Sequence, residues 1–342
     1  MTRKEVISDL CKLGLLIENK AGNTCFSSTI QDRLQDYITR SIYKNGWFDS
    51  QQVSNALYGI STWLNETTLN DFAKEYAFQA FKPKLGLILA GNLPLVGFHD
   101  VMCGLLSGYR LDIKMSSEDQ DLLPILLDAL TERNGSYPEL IRLNPPKLVG
   151  FDAIIGTGSD SSLLHFKAYF KNIPHLLRGN RTSVAILTGN ESPDELQALG
   201  KDIFSYFGRG CRNVTHLIVP QEYNFDNFFK ALIPYQDVIQ NKKYGNNYDY
   251  NRAVYLLSQR EILDNGFLLL METKDFQPPL AMVYYHRYAS QLEIQDYLKQ
   301  HEKQIQCVVG KDFIPFGKAQ IPSIDDYADG INTMAWLAKP QN

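Results

Sequence analysis

Along the first eighty residues, apolar positions recur at helical spacing. In "MTRKEVISDLCKLGLLIENK" Val6, Leu10, Leu13 and Ile17 fall on one face, although Gly14 weakens the pattern. "TIQDRLQDYITRSIYKNG" and "STWLNETTLNDFAKEYAFQAF" repeat that period, so residues 1–80 are predicted to be mostly helical. From residue 84 the pattern changes. "LGLILAG" is a short apolar run closed by glycine, as expected for a strand buried in a parallel sheet. "PLVGFHDVMCGLLSGY" predicts a helix and "RLDIKMS" a second strand, which completes a βαβ unit. "DLLPILLDALTER" predicts a further helix, and "LVGFDAIIGTGSDSSLLHFKAYF" a strand, glycine turn and helix. Alternation of this kind predicts a doubly wound α/β domain.

"RTSVAILTG" predicts one more strand, and a second segment begins near the helix "SPDELQALGKDIFSYFGRGC", which places the domain boundary near residues 180–205. "VTHLIVP" predicts a strand, "YNFDNFFKALIPYQDVI" a helix, and "NKKYGNNYDYNR" a polar, aromatic loop. "GFLLLME", "PLAMVYYHRY" and "IQCVVG" predict further strands before a turn-rich tail. The expected division is a helical N-terminus with a dinucleotide-binding domain over 1–180, a cysteine-bearing domain over 181–310, and a return segment over 311–342. A chain of 342 residues is long enough for two such domains.

Charge and cysteine usage narrow the classes of function. The formal charge of −4 opposes a dominant nucleic-acid footprint, because duplex binders present a basic face. No apolar run approaches a membrane span, and Glu5, Asp9 and Lys12 interrupt the N-terminal pattern, so a signal peptide is not expected there. The five cysteines are scattered, with no CxxC pair and no Cys/His spacing of a zinc site, so a reduced, cytoplasmic setting is expected.

Four stretches carry candidate chemistry. In "LILAGNLPLVGF" Asn92 follows a buried strand, where it is either a helix cap or an amide donor to a developing oxyanion. In "IKMSSED" Lys114 leaves a strand, as a solvated lysine or as a contact to ribose or phosphate. In "IIGTGSDSS" Gly156 and Gly158 permit a tight turn, and Ser159 and the helix start after it offer donors to a phosphate. The GxGxxG fingerprint fails there, because Ser161 stands in the last glycine position. In "FGRGCRNVTHLIVP" Cys211 lies between Gly210 and Arg212, with Arg209 close by, a setting that suits a reactive thiolate better than those of the other cysteines. Among the six histidines, His175 in "PHLLRGNR" precedes the strand leading toward the second segment and is the candidate proton donor, against the reading of a structural histidine. Arg178, Arg181, Lys242 and Lys243 are either phosphate contacts or solvated surface. There is no Gly-x-Ser-x-Gly elbow of a serine hydrolase.

Taken in order, these stretches resemble the aldehyde dehydrogenase superfamily, and within it the acyl-CoA reductase branch typified by the bioluminescence fatty-acid reductase. "AGNLPL" resembles the family's PWNFP oxyanion motif, "IKMSSE" its VxKPSE cofactor strand, "IGTGSDSS" its FTGS turn and "GRGCRNVTHLIVP" its GQxC nucleophile loop. "FIPFGKAQIP" is a vaguer counterpart of its PFGG segment. The resemblance implies an aldehyde-dehydrogenase-like α/β fold, Cys211 as nucleophile, Asn92 as oxyanion donor, and Lys114, Gly156, Gly158 and Ser159 around NADPH, with NADH not excluded. It also implies a homo-oligomer. The family's hydrolytic base, the Glu of ELGGK, has no counterpart: "HLLRGNRTS" keeps Gly179 but places no carboxylate there. An acyl group that leaves to, or arrives from, coenzyme A suits that loss. The expected activity is reduction of an acyl-CoA to an aldehyde. Reduction of an acyl phosphate, or a non-catalytic nucleotide- or partner-binding role, are the alternatives.

Overall fold

A computed structural model describes residues 1–18, 25–147 and 149–339. The chain divides into two units, residues 1–180 with 323–342, and residues 181–322. The 311–342 segment is thereby shared between the two units.

Four helices open the first unit: α1 (Arg3–Ile17), α2 (Ser28–Lys44), α3 (Ser50–Ser61) and α4 (Glu66–Ala73). Each is started by a side chain that accepts a hydrogen bond from a first-turn N–H: Thr2, Ser27, Asp49 and Asn65. Asn65 explains why the expected helix over 61–81 is broken, since its cap starts a new helix that ends at Ala73. There follow β1 (Lys84–Ile88), α5 (Phe98–Leu106), β2 (Arg110–Lys114), α6 (Leu122–Arg133), α7 (Tyr137–Leu140), β3 (Ile141–Leu143), β4 (Ala153–Thr157), α8 (Asp160–Tyr169) and β5 (His175–Arg178). The five strands form a parallel sheet in the order β3-β2-β1-β4-β5. The order reverses between β1 and β4, and sheets of this kind bind ligands beyond the C-terminal strand ends at that point. The core is continuous from Leu10 and Leu13 of α1 through Met102 of α5 to Leu85 and Leu87 of β1, all buried.

In the second unit come β6 (Thr182–Ile186), α9 (Pro193–Phe204), β7 (Val214–Pro220), α10 (Asp226–Leu232), α11 (Lys242–Leu257), β8 (Leu263–Asp264), β9 (Leu269–Glu272), β10 (Met282–Tyr288), α12 (Gln291–Gln300) and β11 (Ile305–Val309). The sheet order is β11-β6-β7-β10-β9-β8, with only β8 antiparallel to its neighbour. Finally α13 (Thr333–Ala338) lies in the first unit.

The stretch 241–252, read from sequence as a loop, is the first part of α11. Asn241 caps it by accepting from the N–H groups of Lys243 and Tyr244. Tyr244, Tyr248 and Asn251 bury one face at i, i+4, i+7 spacing.

His216 on β7 and His286 on β10 form a buried pair, Nε2 to Nδ1 at 2.7 Å, with the Tyr297 hydroxyl of α12 3.3 Å from His216 Nε2. Burial depresses both histidines, His216 to about 3 and His286 to about 4. Their folded values lie below the unfolded one, so the stabilisation they carry is present above pH ~6.5 and is lost as pH falls toward ~4. Asp202 in the same unit, which burial raises to about 6, acts with the opposite sign. The pair is therefore read by difference. We expect His216→Phe to flatten the acid side of the stability–pH curve between pH 6.5 and 5, measured by urea midpoints. An unchanged slope would remove the pair as its source.

Candidate functional site

The register of the first sheet puts Lys114, Ile88, Gly156 and Leu177 in one row at the C-terminal strand ends. With neighbouring strands ~4.8 Å apart, Lys114 and Gly156 flank β1 at about 10 Å. Lys114 is exposed at the end of β2. Beyond the row, Ser159 caps α8: its Oγ accepts from Ser162 N at 3.3 Å and lies 2.9 and 3.0 Å from the hydroxyls of Ser161 and Ser162. Three hydroxyls thus meet at an exposed helix N-terminus, a donor set that fits a phosphate. Gly156 is closely packed, since a Cβ there would lie 3.0 Å from Leu177 Cδ2.

Asn92 lies in the 89–97 loop that follows β1. It does not cap α5, which begins at Phe98 with Gly97 in the cap position. The loop replaces the first turn of the helix expected over 94–109. Its conformation is set by Gly91, where a Cβ would fall 2.4 Å from Ser116 Oγ, and by Leu95, which adopts φ +57. The Leu95 N–H donates to Asp119 Oδ2 at 2.7 Å.

His175 is not brought to this edge. It pairs with Ile154 near the N-terminal end of β4, is exposed, and has Nδ1 2.8 Å from the Ile173 carbonyl oxygen. Four residues of rise separate that level from Gly158, about 13 Å. Arg178 also departs from expectation. It is neither solvated nor open to a phosphate: it is buried, with Nη1 2.7 Å from both carboxylate oxygens of Asp100 and Nη2 2.7 Å from Thr333 Oγ1. Its carbonyl accepts from Gly158 N at 3.2 Å, so one residue ties α5, α13 and the Gly158 turn together.

In the second unit Cys211 is half-buried in the connection from α9 to β7. The chain reaches it through three successive residues in the left-handed region, Tyr206 (φ +52), Phe207 (φ +57) and Gly208 (φ +76). Only the glycine accepts this at no steric cost, so burial of the Tyr206 and Phe207 rings must hold the turn. Asn213 fixes it further. Its Oδ1 accepts from Gly210 N at 2.7 Å, and its Nδ2 donates to the carbonyls of Asp202, Ile203 and Ser205 at 3.0, 3.2 and 2.8 Å. Ser183 Oγ donates to the Cys211 carbonyl at 3.0 Å. Arg212 is committed to structure through Nε to the Ala319 carbonyl at 2.5 Å, while the Asp202 carboxylate accepts from Gly317 N (2.6 Å) and Ala319 N (3.0 Å). The "FGKAQ" segment is thus held beside the cysteine loop.

The sequence reading missed Asp119, Ser183, Asp202 and Asn213. Asn213, a polar residue directly before an apolar run, was the one with a local signal. Among the described residues no group of three or more His, Cys, Asp or Glu side chains is placed to hold a metal, and no helix is long and apolar enough to cross a membrane.

No protein-family model matches the chain, and no curated protein matches its sequence. Solved structures do match. Aldehyde dehydrogenase 21 from Physcomitrella patens, in complex with the reaction product succinate, is similar with a TM-score of 0.63 at 12% identity, over 91% of this chain and 73% of that one. Gamma-glutamyl-gamma-aminobutyraldehyde dehydrogenase from Burkholderia cenocepacia J2315 gives 0.62 at 13%, over 91% and 72%. A protein provisionally named methylmalonate-semialdehyde dehydrogenase, from Sinorhizobium meliloti 1021 and complexed with NAD, gives 0.60 at 11%, over 93% and 74%. At these identities the likeness is one of fold: the chain has the aldehyde dehydrogenase fold.

Proposed function

We propose that the chain is an NAD(P)H-dependent reductase of acyl-CoA thioesters that works through a covalent acyl-enzyme on Cys211. The observation that carries this reading is Cys211, half-buried on a loop fixed by Asn213 and Ser183 just ahead of β7, in a chain of aldehyde dehydrogenase fold. A second observation favours a thiol leaving group over water. The end of β5 bears Arg178, locked onto Asp100, and no carboxylate stands between His175 and Ser183 to activate water.

The Cys211 thiolate attacks the thioester carbonyl, and the electron pair of the C=O bond moves to oxygen. The Asn92 amide and the Cys211 N–H are the proposed donors to that oxyanion, an effect worth about 3–4 kcal/mol per donor. Collapse expels the coenzyme A thiolate, which leaves readily without acid catalysis, and an acyl-thioester on Cys211 remains. Lys114 and the Ser159–Ser162 hydroxyls would hold a nicotinamide dinucleotide, which supplies a hydride when bound. Collapse of the reduced adduct returns Cys211 as thiolate and frees the aldehyde.

The test is oxidation of NADPH and of NADH across acyl-CoA chain lengths, with an acyl phosphate series in parallel. Turnover of acyl-CoA with release of free thiol is expected. Turnover of acyl phosphates alone would overturn the choice of substrate. We further expect Lys114→Ala to weaken cofactor affinity by about tenfold, one charge-assisted contact, with acyl-CoA affinity little changed. Titration of each ligand by fluorescence separates the two, and unchanged cofactor affinity would make Lys114 a surface lysine.

A further inference from the structure

We propose that Asp119 is the positioning residue for Asn92, holding the 89–97 loop in its working shape by a clasp between the ends of β1 and β2. The clasp itself is a statement about the loop; its consequence for rate rests on the reductase reading above.

The loop does not hold this shape unaided. Leu95 sits in the left-handed region, which costs a residue with a Cβ about 1 kcal/mol or more. Its N–H donates to Asp119 Oδ2 at 2.7 Å in a buried setting. The turn that carries Asp119 is itself built against the loop. Asp119 N donates to the Ser116 carbonyl at 3.3 Å and Glu118 N to Ser116 Oγ at 3.2 Å. Ser116 Oγ in turn occupies the space a side chain at Gly91 would need, so the residue before Asn92 must be glycine for the two turns to meet. Asn92 stands between the two contacts, Gly91 on one side and Leu95 on the other.

The choice of residue argues for a task beyond packing. Asp119 is 8% exposed, and its Oδ1 is buried without a hydrogen-bond partner. Among the described residues the ionisable groups that act on it are Tyr37 and Asp121, neither of them a cation, while Lys44 is directed to Asp121. Burial pushes the Asp119 carboxyl up to about 6. A buried acid with no cation beside it is destabilising in itself. Its return in this structure is the short bond to the strained Leu95 N–H.

The experiment uses the full chain and two readouts, steady-state kinetics and amide hydrogen exchange of the peptide spanning 91–97. Asp119→Ala should raise exchange in that peptide by about tenfold or more, the loss of one charge-assisted bond. It should lower kcat by a comparable factor while leaving the cofactor KM within about twofold. Asp119→Asn keeps an acceptor and should restore both. Should Asp119→Ala fail to fold, Gly91→Ala, which forces the turns apart with Asp119 in place, should show the same local rise in exchange. Unchanged exchange over 91–97 in Asp119→Ala or in Gly91→Ala overturns the clasp, as does failure of Asp119→Asn to restore it. Increased exchange with normal kcat overturns the positioning role. If the wild-type protein reduces no acyl-CoA, the reductase reading falls, and the exchange result still decides the clasp.

Discussion

Cys211→Ala should abolish acyl-CoA-dependent NADPH oxidation, with kcat lower by at least about 10⁴-fold, as expected when a nucleophile is removed rather than a binding contact. The protein should stay folded. The Cys211 loop is held by its neighbours: Asn213 gathers the carbonyls of Asp202, Ile203 and Ser205 and the N–H of Gly210, and Ser183 donates to the Cys211 carbonyl. A melting curve within a few degrees of wild type, beside the lost rate, is the expected pair of results. A folded Cys211→Ala protein with normal turnover would end the nucleophile assignment.

Asn92→Ala should lower kcat by roughly two to three powers of ten and leave KM nearly unchanged. The reason is that an oxyanion donor acts on the tetrahedral state and little on the bound thioester. The competing reading from sequence, a helix cap, predicts a stability loss of about 1 kcal/mol with normal rate. The structure removes that competitor, since α5 starts at Phe98 behind Gly97. A lowered melting temperature with near-normal kcat would nonetheless count against the donor role.

The placement of these residues relative to the strands was legible in the sequence, and the reason is local. Asn92 lies beyond β1, Lys114 ends β2 and the Gly156–Ser159 turn runs off the end of β4, and a buried parallel strand announces its C-terminal end by an apolar run closed by glycine or a polar residue. What holds them was hidden. Asp119 reaches Leu95 across 24 residues and Asp202 reaches Gly317 across 115, distances over which no spacing rule operates. Arg178 read as surface because an arginine beside Gly179 carries no local sign of burial. Its partners Asp100 and Thr333 come from α5 and from the segment that returns to the first unit. Helix α11 escaped because the face it buries is made of Tyr244, Tyr248 and Asn251, which do not register as an apolar stripe. For His175 the sequence left a proton donor and a structural histidine open, and the structure places it at the start of β5, away from the C-terminal strand ends.

The covalent intermediate itself is the most direct object of measurement. Mixing the protein with an acyl-CoA in the absence of any nicotinamide cofactor should release coenzyme A in a burst of about one thiol per chain, the mark of acyl-enzyme accumulation. Mass spectrometry should then place the acyl group on the peptide that contains Cys211, and the burst should be absent from Cys211→Ala. A burst that persists in Cys211→Ala, or an acyl group carried by Cys307 or any other side chain in its place, would contradict the account.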